Sequence, residues 1–166
     1  MAPKINGMTT SYEPGRGPGP AKPTEETLNH LLGEHNMGGL ATVNRDGFPH
    51  VSTVAYAWDP GERVVRVSSA LGRAKVLQLA RNPRAALYVS SEDHLSFAVA
   101  EGLGEVSPPS TVPGDATGRE LLSMQPPLSG PDETLFLRNM VEDRRVVIRL
   151  RVSRLHGGGI DVTPQD

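Results

Sequence analysis

The stretch of residues 64–89, VVRVSSALGRAKVLQLARNPRAALYV, contains a strand, a turn, a helix and a second strand. It opens with the run Val65-Arg66-Val67-Ser68, whose period of two is typical of a β-strand. It closes with the apolar run of residues 85–89, which predicts another strand. Residues 73–82 carry apolar side chains at helical spacing, and Pro83 ends that helix. The rest of the chain can be placed around this unit.

The junction between the first strand and the helix is a candidate anion site. Ser68 and Ser69 end the strand, Gly72 allows a tight turn, and Arg73 and Lys75 lie in the first helical turn. Cations at a helix N-terminus are disfavoured by the macrodipole by roughly 0.3–1 kcal/mol each. A bound anion would make the placement of these cations favourable, because hydroxyls, free N–H groups and two cations then converge on it. A solvated basic face is the alternative that these residues alone leave open.

Composition restricts the possible functions of this chain of 166 residues, which has a net charge of −2 and no cysteine. The absence of cysteine excludes disulfides, cysteine zinc sites and thiol catalysis, and histidine spacing indicates no metal site. The slightly negative net charge does not indicate binding to nucleic acid or to an anionic membrane. No apolar run reaches the roughly 18 residues of a membrane span, and no secretory signal core is present. These features predict a soluble, cytoplasmic protein.

The two ends of the chain differ from its middle in composition. Residues 1–23 are rich in glycine and proline and nearly devoid of apolar side chains, which predicts a disordered N-terminal tail. Thr24 is a candidate N-cap for a helix that ends near Gly33. The predicted barrel domain occupies residues 24–157, and residues 158–166 form a predicted C-terminal tail.

Alternating patterns predict six strands, at residues 40–44, 49–58, 63–69, 84–90, 95–106 and 145–155. Further helices are predicted at residues 116–124 and 132–142. Gly102 and Gly104 indicate a bulge or bend in the fifth strand. Among the first five strands, only one helix is inserted, between the third and the fourth. A Rossmann sheet requires strands and helices to alternate, so it is excluded. Six short antiparallel strands fit a small closed or partly closed barrel, with a ligand site outside it or at a subunit contact.

Four blocks in consistent order resemble a known family: LATVNRDGFPHVSTVAYAWD, VRVSSALGRAKVLQLARNPRAALYV, FAVAEGLGEV and RRVVIRL. They resemble the pyridoxamine-phosphate-oxidase-like split β-barrel superfamily. Within it, they are most similar to the actinobacterial flavin/deazaflavin oxidoreductases of type B, which use the deazaflavin coenzyme F-420. The resemblance covers residues 26–157, and its most specific part is the R-A-K element after a strand that ends in serine.

The resemblance implies a mainly β, six-stranded antiparallel split barrel with a few flanking helices. It also implies a homodimer whose cofactors lie in grooves between the protomers. The residues that would hold the cofactor phosphate are Ser68, Ser69, Gly72, Arg73 and Lys75. Those that would lie along the deazaflavin ring and its polar edge are His50, Ser52, Thr53 and Val54. The other subunit would contribute Leu95 and Phe97, where family members often carry tryptophan and tyrosine.

The function that follows is an F-420-dependent reductase acting on a small, conjugated, electron-poor organic acceptor. The reduced deazaflavin is a hydride donor, so the protein needs mainly to orient it. This explains why the sequence shows no nucleophile–base pair and no paired carboxylates at catalytic spacing. His50 or solvent would supply the proton. The alternatives are an FMN-dependent oxidoreductase, or a non-catalytic flavin-, deazaflavin- or haem-binding protein with His50, His94 or His156 as haem ligand.

Overall fold

The structure is a computed structural model that describes residues 20–160. Its strands and helices, in chain order, are β1 (Pro20–Ala21), α1 (Glu25–Glu34), β2 (Met37–Val43), β3 (Pro49–Asp59), β4 (Val64–Ala70), α2 (Ala74–Arg81), β5 (Arg84–Ser90), β6 (Ser96–Val106), α3 (Ala116–Ser123), α4 (Pro131–Glu142) and β7 (Arg145–Ile160).

The six longer strands close into an antiparallel barrel, as the sequence predicts. Their order is β7-β4-β3-β2-β5-β6, and β6 also pairs with β7, which closes the ring. Every pairing is antiparallel. The short strand β1 pairs with the end of β7. The barrel fold class is therefore confirmed.

One hydrophobic core fills the barrel, and a smaller one lies outside it. Val65, Val67, Ile148 and Leu150 are fully buried inside. Val147, next to Ile148 on β7, is also fully buried because α3 and α4 cover the outer face of that strand. Because both faces of β7 are buried here, the strand begins with a continuous run of apolar residues.

Helix α2 packs over one end of the barrel. Val76 and Leu79 join the barrel core, and the Gln78 side chain faces the buried hydroxyl of Thr42 at 2.6 Å. The helix ends at Arg81, where the N–H of Asn82 donates to the carbonyl of Gln78. Pro83 follows, so the predicted stop is confirmed.

The expected irregularity in β6 is confirmed, whereas the predicted end of the last strand is wrong. The β6–β7 register shifts between Glu101 and Gly102, and a Cβ at Gly102 would lie 1.8 Å from the carbonyl oxygen of Arg151. Strand β7 continues to Ile160 instead of ending at residue 155. Its glycines do not leave the sheet, because β6 pairs with them on one side and β1 on the other. Backbone pairing thus overrides the low strand propensity of glycine.

The predicted N-terminal tail lies mostly outside the described residues, since only its last four, 20–23, are placed. Pro20 and Ala21 within it form β1. The Thr24 cap is confirmed, because its side chain accepts from the N–H of Thr27 at 3.2 Å. In the part of the chain from 20 to 160, no helix is long and apolar enough to cross a membrane.

Candidate functional site

The β4–α2 junction presents backbone donors and cations at the start of a helix. Arg73 occupies the N-cap position in extended conformation, with no side-chain cap, and the first turn of α2 contains no acid. Gly72 is exposed, and an added Cβ there would meet nothing within 4 Å. Ser69 is buried and Ser68 is half-buried at the end of β4. The first N–H groups of a helix have no partner within it, so this end is suited to an anion.

Lys75 is the most perturbed cation of this junction. Its side chain is half-buried, and burial, followed by the charge of Arg73, lowers its pKa. Within residues 20–160, neither Lys75 nor Arg73 forms an ion pair with a carboxylate. A bound anion would offset both effects that lower this pKa. The donor set therefore fits a phosphate group.

Two further arginines adjoin the junction and are absent from the residues that the resemblance assigned to the cofactor. Arg145 pairs with Ala70 at the end of β4, and the N–H of Leu71 donates to the carbonyl of Arg144 at 3.1 Å. Arg144 is exposed. The Nε of Arg145 is buried without a hydrogen-bond partner among the described residues, and Asp143 is 3.7 Å away. The pairing of β4 with β7 brings the backbones of Arg144 and Arg145 to the end of β4, which sequence spacing alone does not reveal. We refer to these two arginines, together with Arg73 and Lys75, as the cation cluster.

The ladder between β3 and β4 opens beside this cluster. Their paired residues run from Asp59–Val64 to Tyr56–Val67 and extend no further. Beyond that point β3 pairs with β2 on one side, and β4 with β7. The edge of β3 that faces β4 is therefore free of strand partners. The predicted ring residues on β3 and the predicted phosphate residues on β4 lie on the two sides of this opening.

The predicted ring residues on β3 point to two different faces. Thr53 is exposed on the outside of the barrel, whereas Val54 is 6% exposed and belongs to the core. The side chain of Val54 therefore does not reach a surface groove, and only its backbone can. His50 and Ser52 are half-buried, and His50 Nδ1 and Ser52 Oγ are buried without partners among residues 20–160. Such orphaned atoms fit a polar ligand edge at this position.

Leu95 and Phe97 lie far from the cation cluster in the same chain. Phe97 pairs with Gly158 of β7, while Ala70 pairs with Arg145 at the other end of that strand. The two β7 positions are thirteen residue steps apart, which corresponds to roughly 40 Å along a strand at about 3.3 Å per residue. The Phe97 ring stacks on Tyr88 with a centroid separation of 5.6 Å. One chain alone therefore does not bring all the predicted site residues together.

The histidines that a haem site would use lie in separate places. His94 Nδ1 is 2.9 Å from the hydroxyl of Ser90, and His156 Nε2 is 2.8 Å from a carboxylate oxygen of Glu101. Both contacts engage a ring nitrogen with a neighbouring side chain. Among the described residues, no group of three or more histidines and acids is placed to hold a metal ion.

Comparison with known proteins identifies the family. The family model described as pyridoxamine 5'-phosphate oxidase matches residues 24–156. The chain belongs to this family. The predicted resemblance is confirmed at the level of the family.

Two relatives are similar to this chain beyond the family match. An F-420H2-dependent biliverdin reductase of Mycobacterium tuberculosis (strain CDC 1551 / Oshkosh) is 28% identical over 127 residues, which are 76% of this chain and 82% of that protein. A solved structure of an F-420 reductase is 29% identical with a TM-score of 0.58, and the match covers 80% of this chain and 98% of that one.

A third similarity concerns the fold alone. The crystal structure of a conserved hypothetical protein from Mycobacterium tuberculosis has a TM-score of 0.63 at 20% identity, covering 82% of this chain and 84% of that one. The barrel is thus shared by proteins with little sequence in common.

Proposed function

We propose that this chain is an F-420-dependent oxidoreductase that transfers a hydride from the reduced deazaflavin to a small, conjugated, electron-poor organic acceptor. The observation that carries the proposal is the cation cluster beside the open β3–β4 ladder, in a chain of this family. Two relatives named for F-420, at 28% and 29% identity, support this cofactor.

The phosphate of the cofactor would bind at the start of α2. Arg73 and Lys75 neutralise its charge, the half-buried Ser68 hydroxyl donates to its oxygens, and the N–H groups of Ala74 and Lys75 complete the contacts. Ser69 is 4% exposed on the inner face of β4 and contributes through its backbone only. Arg144 and Arg145 extend the positive surface at the start of β7, where they would meet the acidic oligoglutamate tail of the coenzyme.

The ring system would lie along the open edge of β3. His50 and Ser52 offer buried polar atoms that lack partners in the described part of the chain, and the free backbone edge supplies further donors and acceptors. Thr53 contributes its side chain from the outer face, whereas Val54 contributes through its backbone only. This arrangement binds the polar edge of a flat heterocycle by groups that are already in place.

The groove is completed by a second copy of the chain. Val51, Met37 and Tyr88 are 64%, 51% and 47% exposed. They lie on adjacent strands, because Val51 pairs with Ala41 of β2 and Tyr88 pairs with Gly39. An outer face with so much apolar surface fits burial in a homodimer. In that dimer, Leu95 and Phe97 of one protomer reach the cofactor of the other.

The residues of this chain orient the reactants and exclude water, and they form no covalent bond with the substrate. When bound, the reduced deazaflavin supplies the hydride. The apolar side chains of Leu95 and Phe97 exclude water from the acceptor on the other side of the groove. His50, at the polar edge of the site, or solvent delivers the proton that the reduced product requires.

Turnover with the purified protein tests this function. Reduced F-420 is mixed with conjugated acceptors, including biliverdin and simple enones, and its oxidation is followed by absorbance. Parallel reactions use the protein reconstituted with FMN and a chemical reductant. Acceptor-dependent oxidation of reduced F-420 without FMN supports the proposal. Activity confined to the FMN-loaded protein would assign the chain to the flavin branch instead.

A further inference from the structure

A cleft of about 510 Å³ opens where β6 begins and β7 ends, at the far end of the barrel from Arg145. Its size lies in the usual range of small-molecule sites, roughly 300–1,000 Å³. An adjoining recess of about 140 Å³ shares Phe97, Gly158 and Gly159 with it and reaches Leu28 and Leu31 of α1. The residues that line the larger cleft are Pro20, Lys22, His94, Leu95, Phe97, Gly157, Gly158, Gly159 and Ile160.

The floor of this cleft is a flat apolar surface made of one ring and bare backbone. A Cβ at Gly158 would lie 3.1 Å from Cε1 of Phe97, and one at Gly159 would lie 3.0 Å from the Ser96 hydroxyl oxygen. Each glycine inside a strand costs about 0.5–1 kcal/mol relative to alanine. Here the groups that approach Gly158 and Gly159 closely are the Phe97 ring and the Ser96 side chain of β6, which form the cleft surface together with the glycine backbone. Tyr88 stacks on Phe97 and holds the ring in position.

Both ionisable groups at the rim of the cleft are basic. Lys22 and His94 line it, and the described lining residues include no acid. The adjacent Asp93 does not line the cleft; its carboxylate accepts from the Ser91 hydroxyl at 2.7 Å and from the N–H of Leu95 at 3.0 Å, and it also attracts His94. The His94 ring is positioned by its contact with Ser90. The rim therefore favours a negatively charged group.

We propose that this cleft binds the acceptor and that the acceptor is a planar, conjugated organic anion. Its ring system lies on Phe97 and the glycine backbone of β7, and its carboxylate meets Lys22 and His94. This assignment rests on the proposed function, in which this end of one protomer borders the cofactor groove of its partner.

A pair of dyes tests the cleft in the cofactor-free protein. 8-Anilinonaphthalene-1-sulfonate and N-phenyl-1-naphthylamine share the same aromatic body, and only the first carries a charge. We expect the full-length protein to bind the sulfonate more tightly, and cinnamate to displace it better than cinnamamide does. Lys22→Ala should weaken sulfonate binding roughly three- to fivefold, as for loss of one exposed charge contact, and leave the neutral dye unchanged.

Matched variants separate charge from shape. Arg138→Ala removes one exposed positive charge on α4, outside the cleft lining, and should change neither dye. Gly158→Val places a side chain on the cleft floor and should weaken both dyes. Phe97→Ala, which leaves the backbone of β7 unchanged, should also weaken the binding of both dyes. It replaces Gly158→Val in the test if that variant does not fold. Equal binding of the two dyes to the wild type would overturn the inference, as would an unchanged sulfonate affinity in Lys22→Ala.

The proposed function is followed separately by titrating the same variants with F-420. Lys22→Ala should bind F-420 as the wild type does, while its turnover should lose preference for carboxylate acceptors over the matching amides. If the wild type binds F-420 but Lys22→Ala retains this preference, the cleft assignment fails and the proposed function stands. If the wild type does not bind F-420, the proposed function fails, and the cleft loses its role as acceptor site.

Discussion

Tyr56 and Val67 form the last pair of the β3–β4 ladder, although β3 starts seven residues before Tyr56 and β4 continues for three residues beyond Val67. Tyr56 lies in the core, and its hydroxyl donates to the carbonyl of Leu32 at 2.7 Å. Burial raises the pKa of this phenol, so it remains neutral. A buried side chain thus anchors the point at which the two strands separate. The cofactor site that we propose lies where they have parted.

Lys75→Ala should weaken F-420 binding roughly 10- to 100-fold, as expected for the loss of a hydrogen bond between charged groups. The fold should not suffer, because the lysine carries an unfavourable charge in the free protein: burial and Arg73 lower its pKa. Fluorescence titration and thermal melting measure the two effects. Arg138→Ala, the same charge loss on α4, is the control. A large drop in melting temperature for Lys75→Ala would contradict this explanation.

The affinity for F-420 should fall with rising pH before the ordinary lysine pKa of 10.5 is reached. Lys75 loses its proton earlier in the free folded protein than in the unfolded chain, and only the protonated form pairs with a phosphate. Binding should therefore be accompanied by proton uptake at alkaline pH. Titrations across this range measure the effect, and Lys75→Arg, whose side chain stays charged, should abolish it.

Val51→Asp should convert the proposed homodimer into a monomer and abolish F-420 binding at the proposed shared groove. Val51 is 64% exposed on the apolar outer face of the sheet, so the charge is harmless to the monomer and costly in the interface. Val112→Asp, at 61% exposure in the loop before α3, is the matched control. Sedimentation velocity measures the oligomeric state. A wild type that sediments as a monomer would overturn the shared-groove proposal.

Gly157→Ala should destabilise the protein by about 1–3 kcal/mol, because overpacking forces the backbone to move. A Cβ at this position would lie 2.1 Å from the carbonyl oxygen of Phe97 and 2.6 Å from Leu28. Gly33→Ala, in α1, meets nothing within 4 Å and should be neutral or stabilising. Urea unfolding of the two variants measures the difference. Equal unfolding free energies for Gly157→Ala and Gly33→Ala would show that β7 does not run through residue 157 as described.

Glu120→Gln should reduce the dependence of stability on acid pH. The carboxylate accepts from Arg149 Nε at 2.8 Å and from Arg66 Nε at 3.1 Å in a half-buried cluster. The Arg149 hydrogen bond, followed by Arg66 and the charges of both arginines, lowers its pKa against the effect of burial. Its stabilisation is therefore present above its ordinary pKa of 4.5 and is lost as pH falls through the lower folded-state value. Melting curves from neutral to acid pH should show a shallower decline for the variant.

Much of the fold can be predicted from local pattern, and the part that cannot depends on strand pairing. Period-two runs locate all six barrel strands, and Thr24 and Pro83 mark helix ends through local chemistry. The glycines of β7 carry no strand signal, so their place in the sheet follows only from pairing with β6 and β1.

The same limit applies to the site. Arg73 and Lys75 are two positions apart and visible as a pair in the sequence, whereas Arg145 joins them only because it pairs with Ala70. The alternation in β3 identifies two faces, but it does not say that Val54 belongs to the inner one. Lys22 and Phe97 line one cleft although they are far apart in the sequence, so no spacing predicts this contact.

Paired titrations of the purified protein with F-420 and with FMN, each repeated on Lys75→Ala, test the central claim most directly. The deazaflavin and flavin fluorescence report binding without any need for the acceptor. We expect tight F-420 binding, weaker FMN binding and a marked loss of F-420 affinity in the variant. Preference for FMN, or an F-420 affinity that Lys75→Ala leaves unchanged, would contradict the assignment of this site and its cofactor.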